Sequence, residues 1–551
     1  MSLLDASVRL ENPPVPRMPD ELSADAVIIG GGPNGLILAS YLARAGARVV
    51  LLEKRYEVGG GLATEEVVFP LYYANTHATY HMMVDYMPVL SDFDLRRHGL
   101  MFLKPNAQTG IIFRDGRSIL LSRMVSETVD SIAQISPKDA KAFEKIIRIF
   151  TRMVDEIVGP GTYYRPIPPV DLSLGLSRTE IGRALLEISE QTPLQIIDGI
   201  FTDPRVKALF LYVSCMWGLD PREAGLGFMV PLLICRGMNK CLCLGGSHKF
   251  AGALAKEIIT NNGLILENAE VTNIIVKGGK VEGVESFDGR VIHAPTVASS
   301  LDPQSTFLRL VGEENLSEDL RAYAKQWKWD KWSLFTVHCA LEEQIRFRAH
   351  ERAVNQAFMN IIGFEDVGEV LAYFDGLRNG EMNGMRGHTT SETLYDPTLT
   401  RINGKHVAFF QMPAPYHLKG GWEESQKENQ ERALKVWQSY AENLSERNLI
   451  AVSSETPLDI ERRISCMVNG SIKHGDYSPV QMGYYRPNDL CSTTKTPIAG
   501  LYLCGASVYP GGLIIGGPGY LAANTICEDL QLKKWWTMPP KIRKYVEEYV
   551  Q

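Results

Sequence analysis

Gly30, Gly32 and Gly35 stand in a G-x-G-x-x-G spacing, with Pro33 and Asn34 between the last two glycines. That spacing suits a pyrophosphate held by main chain. Gly30 permits a tight turn, Gly32 lets the backbone approach the phosphates, and Gly35 lets a helix pack closely on a strand. A helix starting here aims free N–H groups and the positive end of its dipole at an anion. Residues 26–29 (AVII) are apolar and β-branched, as a buried parallel strand requires. Residues 36–45 read as the helix, stopped by Gly46. Residues 48–52 (RVVLL) read as a second strand that ends at Glu53. A carboxylate there accepts hydrogen bonds from ribose hydroxyls and disfavours a 2′-phosphate, so NADP is a poor fit.

A second glycine-rich stretch lies far downstream, at residues 500–525 (GLYLCGASVYPGGLIIGGPGYLAANT). It reads as a strand over 501–504, a turn at Gly505-Ala506, a loop containing Gly512, Leu513 and Gly517, and a helix from about Gly519. The chemistry is again main-chain N–H groups and a helix N-terminus facing partial negative charge. Acid–base candidates are His77 and His81, with Asp85 continuing an i, i+4, i+8 spacing and Tyr72, Tyr73 and Tyr80 nearby. On a helix the three would share a face. The competing reading makes the histidines a polar lining or structural groups. Arg486 is a candidate for a substrate carboxylate, the cofactor or a structural ion pair. Cys235, Cys241, Cys243 and His248 cluster, but the spacing matches no zinc pattern. These thiols are expected to pack, and no metal is expected.

Glu53 is followed by Lys54 and then by Gly59-Gly60-Gly61-Leu62-Ala63-Thr64. This resembles the E-x5-G-G-x-x-x-T extension of FAD-binding proteins of the glutathione-reductase structural class. The resemblance implies non-covalent FAD, with Lys54, Gly60, Gly61, Leu62 and Ala63 along it. It implies that the main chain at Val271 meets the adenine. It also places Gly505, Ala506, Gly512, Leu513 and Gly517 around the ribityl chain and the pyrimidine edge. The C-terminal run carries the likeness further: 457–463 (PLDIERR), 475–479 (GDYSP), Arg486-Pro487 and 501–523. Together these segments resemble the phytoene desaturase-related branch of the amine oxidase superfamily. The group most similar is the one called pyridine nucleotide-disulfide oxidoreductase domain-containing protein 2. Carotenoid desaturases, carotenoid isomerases and retinol saturases are relatives of that branch.

Two departures bear on chemistry. The group's H-P-G-G-G-V loop reads here Tyr509-Pro510-Gly511-Gly512-Leu513-Ile514, so Tyr509 stands where the family has histidine and becomes a catalytic candidate. A disulfide reductase needs a cysteine pair just beyond Gly59-Gly60, where this chain has 62–66 (LATEE). No second strand–glycine–helix unit for a nicotinamide is visible either. The resemblance therefore implies a desaturase or dehydrogenase. It would take hydride from an apolar or cyclic small-molecule substrate, with oxygen or a quinone reoxidising the flavin. Amine oxidation, flavin-dependent isomerisation or saturation, and a non-catalytic flavoprotein scaffold are the alternatives.

The elements that must position these residues define the expected architecture. The class is α/β: a discontinuous glutathione-reductase-type Rossmann FAD domain with an α+β substrate domain. Residues 22–74, 244–303 and 457–530 supply the first, and 75–243 with 304–456 the second. The middle FAD segment carries a helix over 250–262 and a strand pair, 269–276 and 280–286, joined at Gly278-Gly279. Asp115-Gly116 is a hairpin turn between 110–113 and 118–121. The substrate blocks carry helices over 137–156 and 178–188 and strands over 333–341 and 406–411.

The tail, residues 531–551, carries Lys533-Lys534-Trp535-Trp536. It suits a peripheral membrane contact, docking on the chain's own surface, or a second subunit in a homo-oligomer. With 551 residues, 45% hydrophobic and 22% charged, and a net charge of −7, the chain is an ordinary enzyme-like protein. It has no electrostatic footprint for nucleic acid. Nine scattered cysteines suit a reducing cytoplasm. Residues 1–22 read as a proline-rich arm without a secretory signal.

Overall fold

The computed structural model describes residues 21–551. Nearly all of the proline-rich arm lies outside the described residues. Glu21–Ser23 forms a short strand parallel to Val291–His293.

The first glycine motif sits on a five-stranded parallel sheet. Its order is Leu264–Leu266, Val49–Leu52, Ala26–Ile29, Val297–Ser299, Leu501–Leu503. One sheet thus takes strands from three distant stretches of chain. The strands Ala26–Ile29 and Val49–Leu52 are buried throughout, which explains their unbroken apolar character. Helix Pro33–Arg44 follows the first strand, with proline in its first turn. It packs against helices His248–Thr260 and Gly517–Asp529. A Cβ at Gly35 would sit 2.1 Å from the Gly30 carbonyl oxygen, so only glycine allows this helix to lie so close to the strand end.

A four-stranded sheet covers one side: Glu21–Ser23, Val291–His293, Lys280–Ser286, Val271–Lys277. Gly278 and Gly279 both have positive φ, 55° and 74°, as the hairpin turn needs. A seven-stranded sheet makes the other half of the molecule. Its order is Leu449–Glu455, Ser333–Leu341, His406–Ala414, Gly387–Thr390, Met359–Ile362, Ala107–Ile112, Ser118–Ser122. It is antiparallel except between Met359–Ile362 and Ala107–Ile112. Asp115-Gly116 turns the last hairpin. The hairpin Thr64–Phe69/Tyr72–Asn75 touches both Ser333–Leu341 and Leu449–Glu455, so it forms the seam between the two halves.

Two local expectations change. The helix expected over 137–156 is α-helical over Pro137–Met153 and then widens into a π-helical turn, Val154–Val158. The segment from His77 to Asp85 is not a helix. His81 instead bridges Cys241 as an isolated antiparallel pair, so the shared face of His77, His81 and Asp85 does not exist.

The tail folds onto its own chain. Trp535 stacks on Tyr41 with ring centroids 5.6 Å apart, and Trp536 meets Tyr41 edge-on at 4.7 Å. Helix Pro540–Tyr549 buries Ile542, Tyr545 and Tyr549. Among the described residues no helix is long and apolar enough to cross a membrane. No group of three metal-binding side chains gathers among them, and the nine cysteines are free.

Candidate active site

A cavity of about 300 Å³ opens at the C-terminal ends of the parallel strands. It is lined by the residues just beyond four of them: Gly30, Glu53, Ser300 and Gly505. This is where open α/β sheets bind ligands. Its volume holds on the order of twenty waters.

The predicted residues divide into two sets. Gly30, Gly32, Pro33, Asn34, Glu53, Lys54, Gly60 and Gly61 line the cavity, as do Val271, Ala506, Gly512 and Leu513. Gly35, Leu62, Ala63 and Gly517 do not; they sit behind it. Gly35 serves the helix–strand contact, Leu62 and Ala63 are buried, and Gly517 packs on Pro510.

The donor set fits an adenine dinucleotide. A Cβ at Gly32 would meet nothing within 4 Å, so the cavity is open in front of it. The N-terminus of helix Pro33–Arg44 has no side-chain cap, which leaves its first N–H groups free for phosphate oxygens. Asn34 Oδ1 is buried without a hydrogen-bond partner. The Glu53 carboxylate accepts from Gly31 N–H and Arg55 N–H, both at 2.8 Å, which fixes its orientation. Burial pushes its pKa up. Lys54 pairs with Glu270 at 3.1 Å, beside Val271.

A smaller chamber of about 70 Å³ shares Gly61, Met467, Ile472, Leu513 and Ile514 with the first cavity. Leu513 and Ile514 have φ of 68° and 53°, a left-handed backbone that β-branched Ile514 rarely adopts. This strain falls where the two cavities meet. Trp217, Leu334, Met82 and Ala78 add apolar walls, and no carboxylate lines the chamber. Its polar side chains are His77, Thr79 and Tyr80. Tyr80 Oη accepts from Trp217 Nε1 at 2.8 Å. The Lys240 ammonium lies 5.3 Å from the Tyr80 ring, and burial brings its pKa down to about 7.

His77 is the catalytic candidate that the structure brings to the chamber. Both ring nitrogens are buried without partners. Burial, and then the positive charge of Arg463, bring its pKa down to about 3, so the imidazole is neutral. His81 is not brought there. It packs edge-on against Phe102 and Phe250, and its Nε2 lies 3.2 Å from Ser247 Oγ. Asp85 pairs with Arg236. Tyr509 lines neither cavity; its hydroxyl donates to the Gly161 carbonyl at 2.8 Å. Arg486 serves none of its three expected roles. It is fully buried and donates to the carbonyls of Lys473, Asp476, Gln481 and Ala506, which ties the 473–481 segment to the 505–517 loop.

Several lining residues escaped the sequence reading: Arg309, Arg463, Cys466, Met467, Ile472 and His474. Cys466 Sγ lies 3.5 Å from His474 Nε2. The 457–463 run pointed to the right neighbourhood but only as a likeness. Trp217 and Leu334 had no local signal.

The fold and the cavity define a protein with a glutathione-reductase-type dinucleotide-binding domain. A family model described as an NAD(P)-binding Rossmann-like domain matches residues 28–93. The chain is 38% identical over 541 residues to one of the limonene dehydrogenase subunits of Castellaniella defragrans, covering 95% of this chain and 98% of that one. It is 27% identical to the rat "Pyridine nucleotide-disulfide oxidoreductase domain-containing protein 2", covering 92% and 94%. It is 24% identical to a lycopene-forming phytoene desaturase of Pseudescherichia vulneris, covering 92% and 99%. A putrescine oxidase triple mutant shares the fold, with a TM-score of 0.61 at 13% identity over 93% of this chain and all of that one. The chain belongs to the phytoene desaturase-related family of FAD-dependent oxidoreductases, of the dehydrogenase and desaturase type.

Proposed function

We propose that this chain binds FAD non-covalently along the larger cavity and dehydrogenates an apolar, cyclic small molecule in the smaller chamber. The first glycine motif and the helix N-terminus would hold the pyrophosphate. Glu53 would take the adenosine ribose, main chain at Val271 the adenine, and Gly60, Gly61 and the 505–517 loop the flavin end. Bound FAD supplies a two-electron acceptor for hydride.

The chain's own side chains do the rest. Leu334, Met467, Leu513, Ile514 and Trp217 exclude water and hold the ring. His77 takes the proton at a ring nitrogen. A weak base suffices, because hydride loss makes the neighbouring C–H strongly acidic. The substrate loses one hydride and one proton and gains a carbon–carbon double bond. Oxygen or a quinone then takes the electrons; the chain's lack of a second G-x-G-x-x-G unit favours this over a docked nicotinamide.

The observation that carries this reading is a neutral, unpartnered imidazole in an apolar, carboxylate-free chamber that opens onto the cofactor cavity. The chamber holds on the order of five waters, which suits a compact ring of about ten carbons better than a long polyene. The relative named for limonene points the same way. An ammonium substrate would find no counter-charge there. Anaerobic mixing of the FAD-loaded protein with limonene and other ten-carbon cyclic hydrocarbons should bleach the flavin. If only dithionite does so, the reading is wrong.

A further inference from the structure

A hydroxyl sealed in an apolar wall must give its proton to an acceptor or forfeit a hydrogen bond. Tyr80 is 7% exposed, and burial raises its pKa, so the phenol keeps its proton. Its oxygen already accepts from Trp217 Nε1 at 2.8 Å. The O–H is left as a donor, and among the described residues no atom accepts it. Tyr80 and Trp217 both line the chamber. The wall thus offers one hydrogen-bond donor to the occupant, and a pure hydrocarbon would leave it unpaired.

The surroundings fix this donor and strengthen it. The Tyr80 ring meets Phe358 and Trp217 edge-on, with centroids 5.9 Å and 6.0 Å away. The Trp217 N–H polarises the O–H bond of the oxygen that it donates to. Lys240 Nζ lies 5.3 Å from the ring centroid, held by the Gly237 carbonyl at 2.7 Å and by Thr109 Oγ1. An ammonium so placed stabilises negative charge building on the phenol oxygen.

We propose that Tyr80 donates to a carbonyl oxygen on the substrate ring, so that the chamber takes a cyclic ketone and converts it to the conjugated enone. The inference deepens the dehydrogenation proposed above and rests on it. A ketone oxygen accepts a hydrogen bond and brings no proton of its own. An alcohol would add an O–H that competes for His77. A donor on the carbonyl stabilises the charge that builds there as the C–H beside it is lost, which helps a base as weak as His77. The α carbon loses its proton to His77 and the β carbon its hydride to the cofactor. One carbon–carbon double bond forms, two electrons leave the ring, and the carbonyl is unchanged.

The test compares limonene with dihydrocarvone, which carries a ketone on the same ten-carbon skeleton. Both are mixed anaerobically with FAD-loaded protein, so folding yield does not enter the rates. Flavin reduction should be at least about tenfold faster with the ketone, and carvone should be the product. Tyr80→Phe removes one oxygen atom and should bring the two rates to within about threefold of each other. No preference in the parent, or one that survives Tyr80→Phe, overturns the ketone inference and leaves the dehydrogenation standing. If neither compound reduces the parental flavin, the dehydrogenation fails, and the donor is judged on binding alone. The infrared carbonyl stretch of bound carvone should lie at lower frequency in the parent than in Tyr80→Phe. An identical stretch in the two proteins, or no bound carvone, overturns the donor.

Discussion

The larger cavity and the smaller chamber share five residues but are built on opposite principles. The cofactor cavity is lined largely by glycines, strand ends and one helix N-terminus, which come in short runs of fixed local spacing. The chamber is made of side chains from segments as far apart as His77, Trp217, Leu334, Met467 and Ile514. Main-chain recognition needs fixed local spacing, because each glycine answers to a backbone neighbour a few residues away. Side-chain recognition needs only that distant residues converge. The first can persist while the second changes its ligand.

Breaking the backbone-built side should have the largest effect. Gly35→Leu drives a side chain into the Gly30 carbonyl, an overpacking that costs about 1–3 kcal/mol or more. The purified protein should lose its flavin, read from the ratio of flavin to protein absorbance. Full flavin content in that variant would break the comparison. Next in size is His77→Phe, which should slow anaerobic flavin reduction by roughly 10²–10⁴-fold while FAD affinity stays at the parental value. A parallel loss of affinity would show that the two regions are not separable.

Glu53→Gln is the converse. It should weaken FAD binding by roughly 10–100-fold, one or two charged hydrogen bonds' worth, and leave the reduction rate at saturating FAD unchanged. Flavin fluorescence titration measures the first and stopped-flow absorbance the second. The smallest effect concerns His81. Burial brings the pKa values of His77, His81 and His388 down to about 3, 4 and 3. Each histidine thus favours its neutral form when folded. That stability is fully present above about pH 6.5 and is lost as pH falls toward 4 and below. The melting temperature should drop over that range. His81→Phe should flatten the drop while turnover remains within about threefold of the parent. A large loss of turnover would return His81 to the reacting groups.

The same contrast governs what the sequence made legible. Gly30 through Glu53 announced strand, turn, helix and strand in order, and the five-stranded sheet contains them. The 500–525 stretch did likewise. His77 was visible as a candidate only because it follows the second glycine group closely. His81 looked equal to it by spacing. The helical face that would have joined them failed because His81 pairs its backbone with Cys241, some 160 residues away. Arg486 was misread because its partners are carbonyls, which carry no signal in side-chain identity. Trp217 and Leu334 reach the chamber through tertiary packing alone.

The order of the strands in the parallel sheet has a consequence for how the enzyme is made. Leu501–Leu503 completes that sheet beside Val297–Ser299, which itself lies against Ala26–Ile29. The walls of the cofactor cavity run from Gly30 to Ile514. A ribosome must therefore emit more than nine-tenths of this 551-residue chain before the pocket exists. Vectorial synthesis leaves the edge of the sheet at Val297–Ser299 waiting for its last strand over some two hundred residues, an exposure that invites aggregation and holdase chaperones. Cofactor loading is then a late, post-translational event, and flavin supply at that moment helps decide how much chain survives to fold.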